Sequence, residues 1–200
     1  MTRLLLLSAS LRRDSLNTRL LQHLQTGLQA HCVPDLLLPQ QVALPLFDQD
    51  LEHEPALVQQ VRTLHARIAA CDGVLVASPE YNGQPPAYLK NLVDWVSRLG
   101  YIDGHSASPF CDRPLLLCSA STGWSGGAVA MPHARALFGY VGALVIGDSV
   151  SIPYADQAWD DLLGFQFDPY YETRLDAATQ RLLGQARHFQ QQRQRTTETA

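Results

Sequence analysis

Three short stretches of this chain carry residue types suited to a flat, anionic ligand. The first is Ser8-Ala9-Ser10-Leu11-Arg12-Arg13-Asp14-Ser15-Leu16-Asn17. An apolar run leads into it, and a helical pattern begins near Ser15. A helix N-terminus offers unpaired N–H groups and a partial positive charge. Ser10, Ser15 and Asn17 add short polar side chains that can face an anion. Arg12 adds a full charge on a planar fork that matches phosphate oxygens. Together these make a monophosphate pocket. The same residues also suit a plain helix start, with Ser15 or Asp14 as cap and both arginines in solvent. The residues alone leave both readings open. Neither G-x-G-x-x-G nor G-K-[ST] occurs here, which counts against a dinucleotide or P-loop site.

The second stretch is Ser78-Pro79-Glu80-Tyr81-Asn82-Gly83-Gln84-Pro85-Pro86, followed by Ala87-Tyr88-Leu89-Lys90-Asn91-Leu92-Val93-Asp94-Trp95. Breakers crowd its first half, so the backbone there is set in a turn. A rigid turn leaves N–H groups free to meet the carbonyl oxygens of a ring, and Tyr81 can offer it an edge or a face. Read without context, the stretch is also an ordinary strand–loop–helix corner. The third is Ser119-Ala120-Ser121-Thr122-Gly123-Trp124-Ser125-Gly126-Gly127, whose glycines let the backbone approach a flat ligand closely.

The elements that must position these stretches alternate. Apolar runs at 4–8, 35–38, 73–77, 115–120 and 143–150 read as strands buried on both faces. Helical stripes fall between them. One joins Leu16, Leu20, Leu21, Leu24 and Leu28; another joins Leu57, Val61, Leu64 and Ile68. A third joins Val129, Ala134, Leu137, Phe138 and Val141, and a last joins Leu175, Leu182, Ala186 and Phe189. This β-α-β alternation with short links predicts a parallel, doubly wound sheet. Five strands suit the order 2-1-3-4-5, although composition does not separate it from a Rossmann order. Residues 1–190 read as one domain and 191–200 as a frayed polar tail. The aromatic segment 151–171 reads as a surface loop pinned by packing, or as a subunit contact or lid.

The totals narrow the function. A chain of 200 residues suits one α/β domain, and a net charge of −4 without a dense basic run excludes nucleic acid as the expected partner. No apolar run approaches a membrane span, and the start lacks a signal-peptide pattern, so no membrane partner and a cytoplasmic location are expected. Cys32, Cys71, Cys111 and Cys118 form no C-x-x-C pair and read as small buried thiols. His53, His65, His105 and His133 show no paired ligand spacing and read as surface or packing residues, so no metal is expected.

From about Leu4 to Ser151 the chain resembles the NADPH-dependent FMN reductases, which include bacterial quinone, azo-dye and chromate reductases. The family's first motif, Gly-Ser-x-Arg-x-x-Ser-x-Asn, is matched by Ser10, Arg12, Ser15 and Asn17, with Ala9 in place of the glycine. Its second, Pro-Glu-Tyr-Asn-Gly with a later proline and Leu-Lys-Asn-x-x-Asp-Trp, is present from Pro79 to Trp95, departing only at Gln84-Pro85-Pro86-Ala87. Its third is the Ser119–Gly127 stretch, where Trp124 occupies a variable position with room to shape the acceptor pocket. Leu44-Pro45-Leu46-Phe47-Asp48-Gln49-Asp50-Leu51 resembles the family's second loop, near a subunit contact.

The resemblance implies a flavodoxin-like three-layer α/β sandwich with a five-stranded parallel sheet of order 2-1-3-4-5. It implies FMN as cofactor and NADPH or NADH as co-substrate. Two electrons would pass from the nicotinamide to a small acceptor: a quinone, azo compound, chromate or free flavin. The implied cofactor contacts are Ser10, Arg12, Ser15, Leu16 and Asn17; Pro79, Glu80, Tyr81, Asn82 and Gly83; and Ser119 and Gly123. No catalytic side chain is implied, because the cofactor carries the chemistry. A homodimer or homotetramer is implied as well. The rivals are a flavodoxin-like electron carrier and a regulatory protein without its own NAD(P)H activity. The mild charge and Arg12 count against the carrier.

Overall fold

Alternate residues of the leucine runs face opposite sides of the sheet, so each run feeds two cores. The computed structural model describes residues 1–103 and 107–198, with side chains up to residue 195. β1 (Arg3–Ser8), β3 (Gly73–Ala77) and β4 (Pro114–Ala120) are buried on both faces apart from Arg3. Leu4, Leu6, Leu75 and Leu116 meet α1 (Leu16–Leu28) and α5 (Pro169–Glu198) on one face. Leu5, Leu7, Val74, Val76, Leu115 and Leu117 meet α2 (Pro55–Ala69), α3 (Ala87–Ile102) and α4 (Met131–Tyr140) on the other. Three layers result, as predicted.

The sheet order is β2-β1-β3-β4-β5, with β2 at Val33–Leu37 and β5 at Leu144–Val145, and every pairing in it is parallel. This is the flavodoxin-like order. The fifth strand differs from the expected continuous run at 143–150. β5 pairs with the start of β4, and β6 (Val150–Ile152) pairs with its end at Cys118–Ala120. The register jumps between the two pieces, Leu115 pairing with Val145 but Cys118 with Val150, so the chain between them bulges from β4; the Arg135 guanidinium on α4 donates to the carbonyls of Val145 at 3.1 Å and Gly147 at 3.2 Å.

Other boundaries shift for similar reasons. Val129 precedes α4 and is exposed. The aromatic segment folds into a hairpin, β7 (Trp159–Asp160) with β8 (Gly164–Phe165), packed on α1. Arg19 lies 4.5 Å above the Trp159 ring, and His23 meets Phe165 and Phe167 edge-on. The segment 191–200, expected to fray, continues α5 as far as Glu198. Its Gln and Arg residues are good helix formers. The preceding Gln190 accepts a hydrogen bond from Thr2 at 2.8 Å, and Arg193 reaches Asp72 at 3.5 Å. His105 lies outside the described residues. No helix among the described residues is long and apolar enough to cross a membrane.

Burial raises the Cys118 thiol to about 12 and the Cys71 thiol to about 11, the latter helped by nearby Asp35. All four cysteines are free. A thiol held neutral in the fold but free to ionise when unfolded stabilises the fold fully below the ordinary thiol value. That contribution is lost as pH rises towards the folded value. Brief treatment with a thiol reagent near pH 8 should therefore spare Cys71 and Cys118 in the native protein and label all four cysteines in denaturant, as read by mass spectrometry. Rapid native labelling of Cys118 would contradict the packing.

Candidate functional site

Open α/β sheets bind ligands beyond the carboxyl ends of their strands. Three loops meet there, after β1, β3 and β4. They enclose a cleft of about 150 Å³. The first loop supplies Ser10, Arg12, Ser15, Leu16 and Asn17; the second supplies Pro79, Glu80 and Tyr81; the third supplies Ala120, Ser121 and Thr122. A larger cavity, about 1160 Å³, runs along β5 and α5 beside Pro114, at the opposite, amino end of β4. Position in the fold favours the smaller cleft.

The floor of the cleft is a helix start. Ser15 caps α1, its hydroxyl oxygen accepting from Thr18 N–H at 3.3 Å. The N–H groups of Leu16 and Asn17 lie in the first turn, beyond reach of an intrahelical carbonyl. Ser8 Oγ and Thr18 Oγ1 are hydrogen-bonded at 2.7 Å, tying the strand end to the helix. Arg12 is exposed and makes no salt bridge among the described residues. Ala9, the departure from the motif, is wholly buried, and its N–H donates to the Ala77 carbonyl at 3.0 Å. It does not have positive φ, so its methyl group is accommodated without strain.

Asn17 does something the sequence did not disclose. Its Nδ2 donates to the Ala120 carbonyl at 2.9 Å, and Ala120 N–H donates to its Oδ1 at 3.0 Å. The amide therefore joins the first and third loops, leaving its second Nδ2–H and the backbone N–H of Asn17 as donors.

The second loop is a tight hairpin. Tyr81 and Gln84 exchange backbone hydrogen bonds at 2.9 and 3.0 Å around Asn82 and Gly83. Both central residues have positive φ, the primed-turn geometry that Asn-Gly favours. Glu80 Oε2 accepts from Ala130 N–H at 3.0 Å, just before α4, and so pins the second loop to the third.

Four expected contacts stand outside the cleft: Asn82, Gly83, Ser119 and Gly123. The first two form the hairpin tip, and Gly123 is exposed. Ser119 is completely buried, its hydroxyl without a partner among the described residues. It faces Gly127, where a Cβ would fall 2.0 Å from Ser119 Oγ. The strand's alternation turns Ser119 inward and leaves Ala120 to line the cleft. Ser121 and Thr122, beyond the strand end, line the cleft as well, where only their neighbours Ser119 and Gly123 were expected.

The later part of the second motif has a structural task. Asn91 Nδ2 and Trp95 Nε1 both donate to the Pro45 carbonyl at 2.8 Å, and Asn91 Oδ1 accepts from Phe47 N–H at 2.7 Å. Arg98 binds Glu52 through two nitrogens, at 2.6 and 3.1 Å. These residues hold the loop at 44–51 against α3.

Residues 2–157 match the family described as NADPH-dependent FMN reductase. The chain belongs to this family. FMN is the family's cofactor and a nicotinamide its reductant. The quinone reductase of Escherichia coli (strain K12) is 32% identical over 148 residues, covering 70% of this chain and 71% of that protein. The NADPH:quinone oxidoreductase of Arabidopsis thaliana is 35% identical over 123 residues, covering 60% of this chain and 59% of that protein. In three dimensions the chain is similar to FerB, a flavoenzyme NAD(P)H:(acceptor) oxidoreductase from Paracoccus denitrificans. That match has a TM-score of 0.71 at 24% identity and covers 94% and 95% of the two chains. It supports the shared fold.

The Asn17 clamp makes a direct prediction for a member of this family. Asn17→Ala removes two hydrogen bonds and strands the Ala120 N–H and carbonyl in a buried place. Urea unfolding should show a loss of about 2–4 kcal/mol. A loss under about 0.5 kcal/mol, the size of an ordinary surface change, would mean that the two loops hold together without it.

Proposed function

We propose that this chain is an FMN-dependent NAD(P)H oxidoreductase that reduces small acceptors, with quinones first among them. The observation that carries the reading is the cleft itself. Eight of the residues expected from sequence to contact the cofactor line one small pocket, at the end of the sheet where such folds bind ligands. The family match and the named activities of the relatives point the same way.

The residues suit FMN at its phosphate end. Leu16 and Asn17 would offer first-turn N–H groups, Ser10 and Ser15 their hydroxyls, and Arg12 the charge-matched fork. At about 150 Å³ the cleft is smaller than the roughly 300–1,000 Å³ of typical ligand pockets, so it suits the anionic end of the cofactor. The ring would then lie outward, over the Tyr81 hairpin and the glycine-rich third loop. Bound there, FMN would supply the two-electron carrier between nicotinamide and acceptor. The protein's own task is to hold the phosphate, fix the loops and leave one side of the site open for the two substrates in turn. No side-chain nucleophile is needed.

The reading extends to one working domain over residues 1–190, in the cytoplasm, assembled as a homodimer or homotetramer. The loop at 44–51 is the candidate contact.

Arg12 tests the phosphate assignment. Replacing it with Ala removes a hydrogen bond to a charged group, at a cost of about 1.5–3 kcal/mol. Fluorescence titration of the apoprotein with FMN should show Kd rising about 10- to 150-fold. Unchanged affinity in Arg12→Ala would remove Arg12 from the site.

A further inference from the structure

Large apolar side chains from three loops stand exposed around the mouth of the cleft. Trp124 is 78% exposed, Val129 51%, Tyr154 49% and Tyr81 48%. Tyr81 lines the cleft, and Trp124 follows two residues after Thr122, which also lines it. Val129 approaches the Tyr81 hairpin: a Cβ on Gly83 would lie 3.5 Å from its Cγ1. Tyr154 joins this edge because the neighbouring Ala155 N–H donates to the Ser121 carbonyl at 2.9 Å. Single exposed apolar residues need no explanation, but a group at the rim of a ligand cleft does.

Trp124 differs from the others in how it is held. It sits at the corner of a turn closed by Gly126 N–H donating to the Gly123 carbonyl at 3.1 Å. That turn rests directly on the next strand. A Cβ on Gly126 would come within 2.7 Å of the backbone of Ile152 and Pro153, and its φ is +62°. Glycine is required there, and the close backbone contact fixes the turn. The chain thus presents a large aromatic face to solvent from a pinned support. Such a side chain contributes contact area with little further loss of freedom on binding a flat partner.

We propose that Trp124 is the specificity-determining residue for the electron acceptor, stacking on planar aromatic acceptors of the quinone class. The inference rests on the reading of the cleft as the FMN site. The overall reaction is NAD(P)H plus a proton plus quinone, giving NAD(P)⁺ and hydroquinone. Two electrons and two protons reach the quinone, one proton arriving with the nicotinamide's hydride equivalent and one from solvent. Ferricyanide has no aromatic face and accepts one electron per ion, so two ions are consumed per NAD(P)H.

The test compares these two acceptors in the FMN-loaded protein. Trp124→Ala should raise KM for 1,4-naphthoquinone roughly three- to tenfold, the size of an aromatic stacking contact. KM for ferricyanide should move less than twofold, and Trp124→Phe should restore most of the quinone KM. A second readout needs no turnover. Trp95 is buried, so the emission difference between the parent and Trp124→Phe isolates Trp124 from the packed indoles. Naphthoquinone should quench that difference saturably. Equal changes for both acceptors, no change for either, absent quenching, or a change of oligomeric state in Trp124→Ala would each overturn the proposal. Failure of the parent to bind FMN would instead sink the reading of the cleft, and the fluorescence titration would still decide the stacking.

Discussion

The Asn17 side chain, bonded at both its polar atoms to the backbone of Ala120, holds the first turn of α1 against the end of β4. The cleft depends on this contact, because its two principal walls come from segments 103 residues apart in the chain. Ser8 and Thr18 lock the same helix start to β1, and Glu80 ties the hairpin after β3 to Ala130. Each tie uses a short polar side chain to satisfy a neighbouring polar group or side chain in a place that excludes much of the water. Leaving those groups unpaired would cost more than the bonds themselves contribute. The three loops therefore have little freedom to drift apart.

Within that frame, charge and apolar surface are separated by depth. The helix N-terminus and the exposed Arg12 gather positive potential on the side of the first loop. The rim carries Tyr81, Trp124, Val129 and Tyr154, all exposed. A ligand with one anionic end and one flat end matches both parts at once. The lower motif residues serve this arrangement indirectly: Asn91, Trp95 and Arg98 anchor the 44–51 loop and touch nothing in the cleft.

Much of this was legible in the sequence because it follows from local pattern. The runs that became β1, β3 and β4 are apolar on both faces, and the α1 and α2 stripes are regular. What could not be read depends on contacts distant in the chain. The fifth strand looked continuous because nothing in the apolar run at 143–150 announces the register jump between Val145 and Val150. The end of α5 looked like a tail because its polar residues carry no apolar stripe, and the contact of Arg193 with Asp72 is distant in the chain. In the site, Asn17 and Ser119 have residue types that suit an anion or a ring equally well. Only the fold shows that one amide bonds the Ala120 backbone and that one hydroxyl is buried against Gly127. Eight of the twelve residues that the motifs point to line one cleft, and Asn82, Gly83, Ser119 and Gly123 lie outside its lining.

The most direct measurement is an absorbance spectrum of the purified protein reconstituted with FMN, recorded before and after NADPH is added without oxygen. An FMN-dependent NAD(P)H oxidoreductase predicts that the flavin bands appear with the bound cofactor and bleach on adding NADPH, with no partner reductase present. Bound flavin whose bands persist under NADPH and NADH alike would contradict that activity and leave a flavin carrier or regulatory protein in its place.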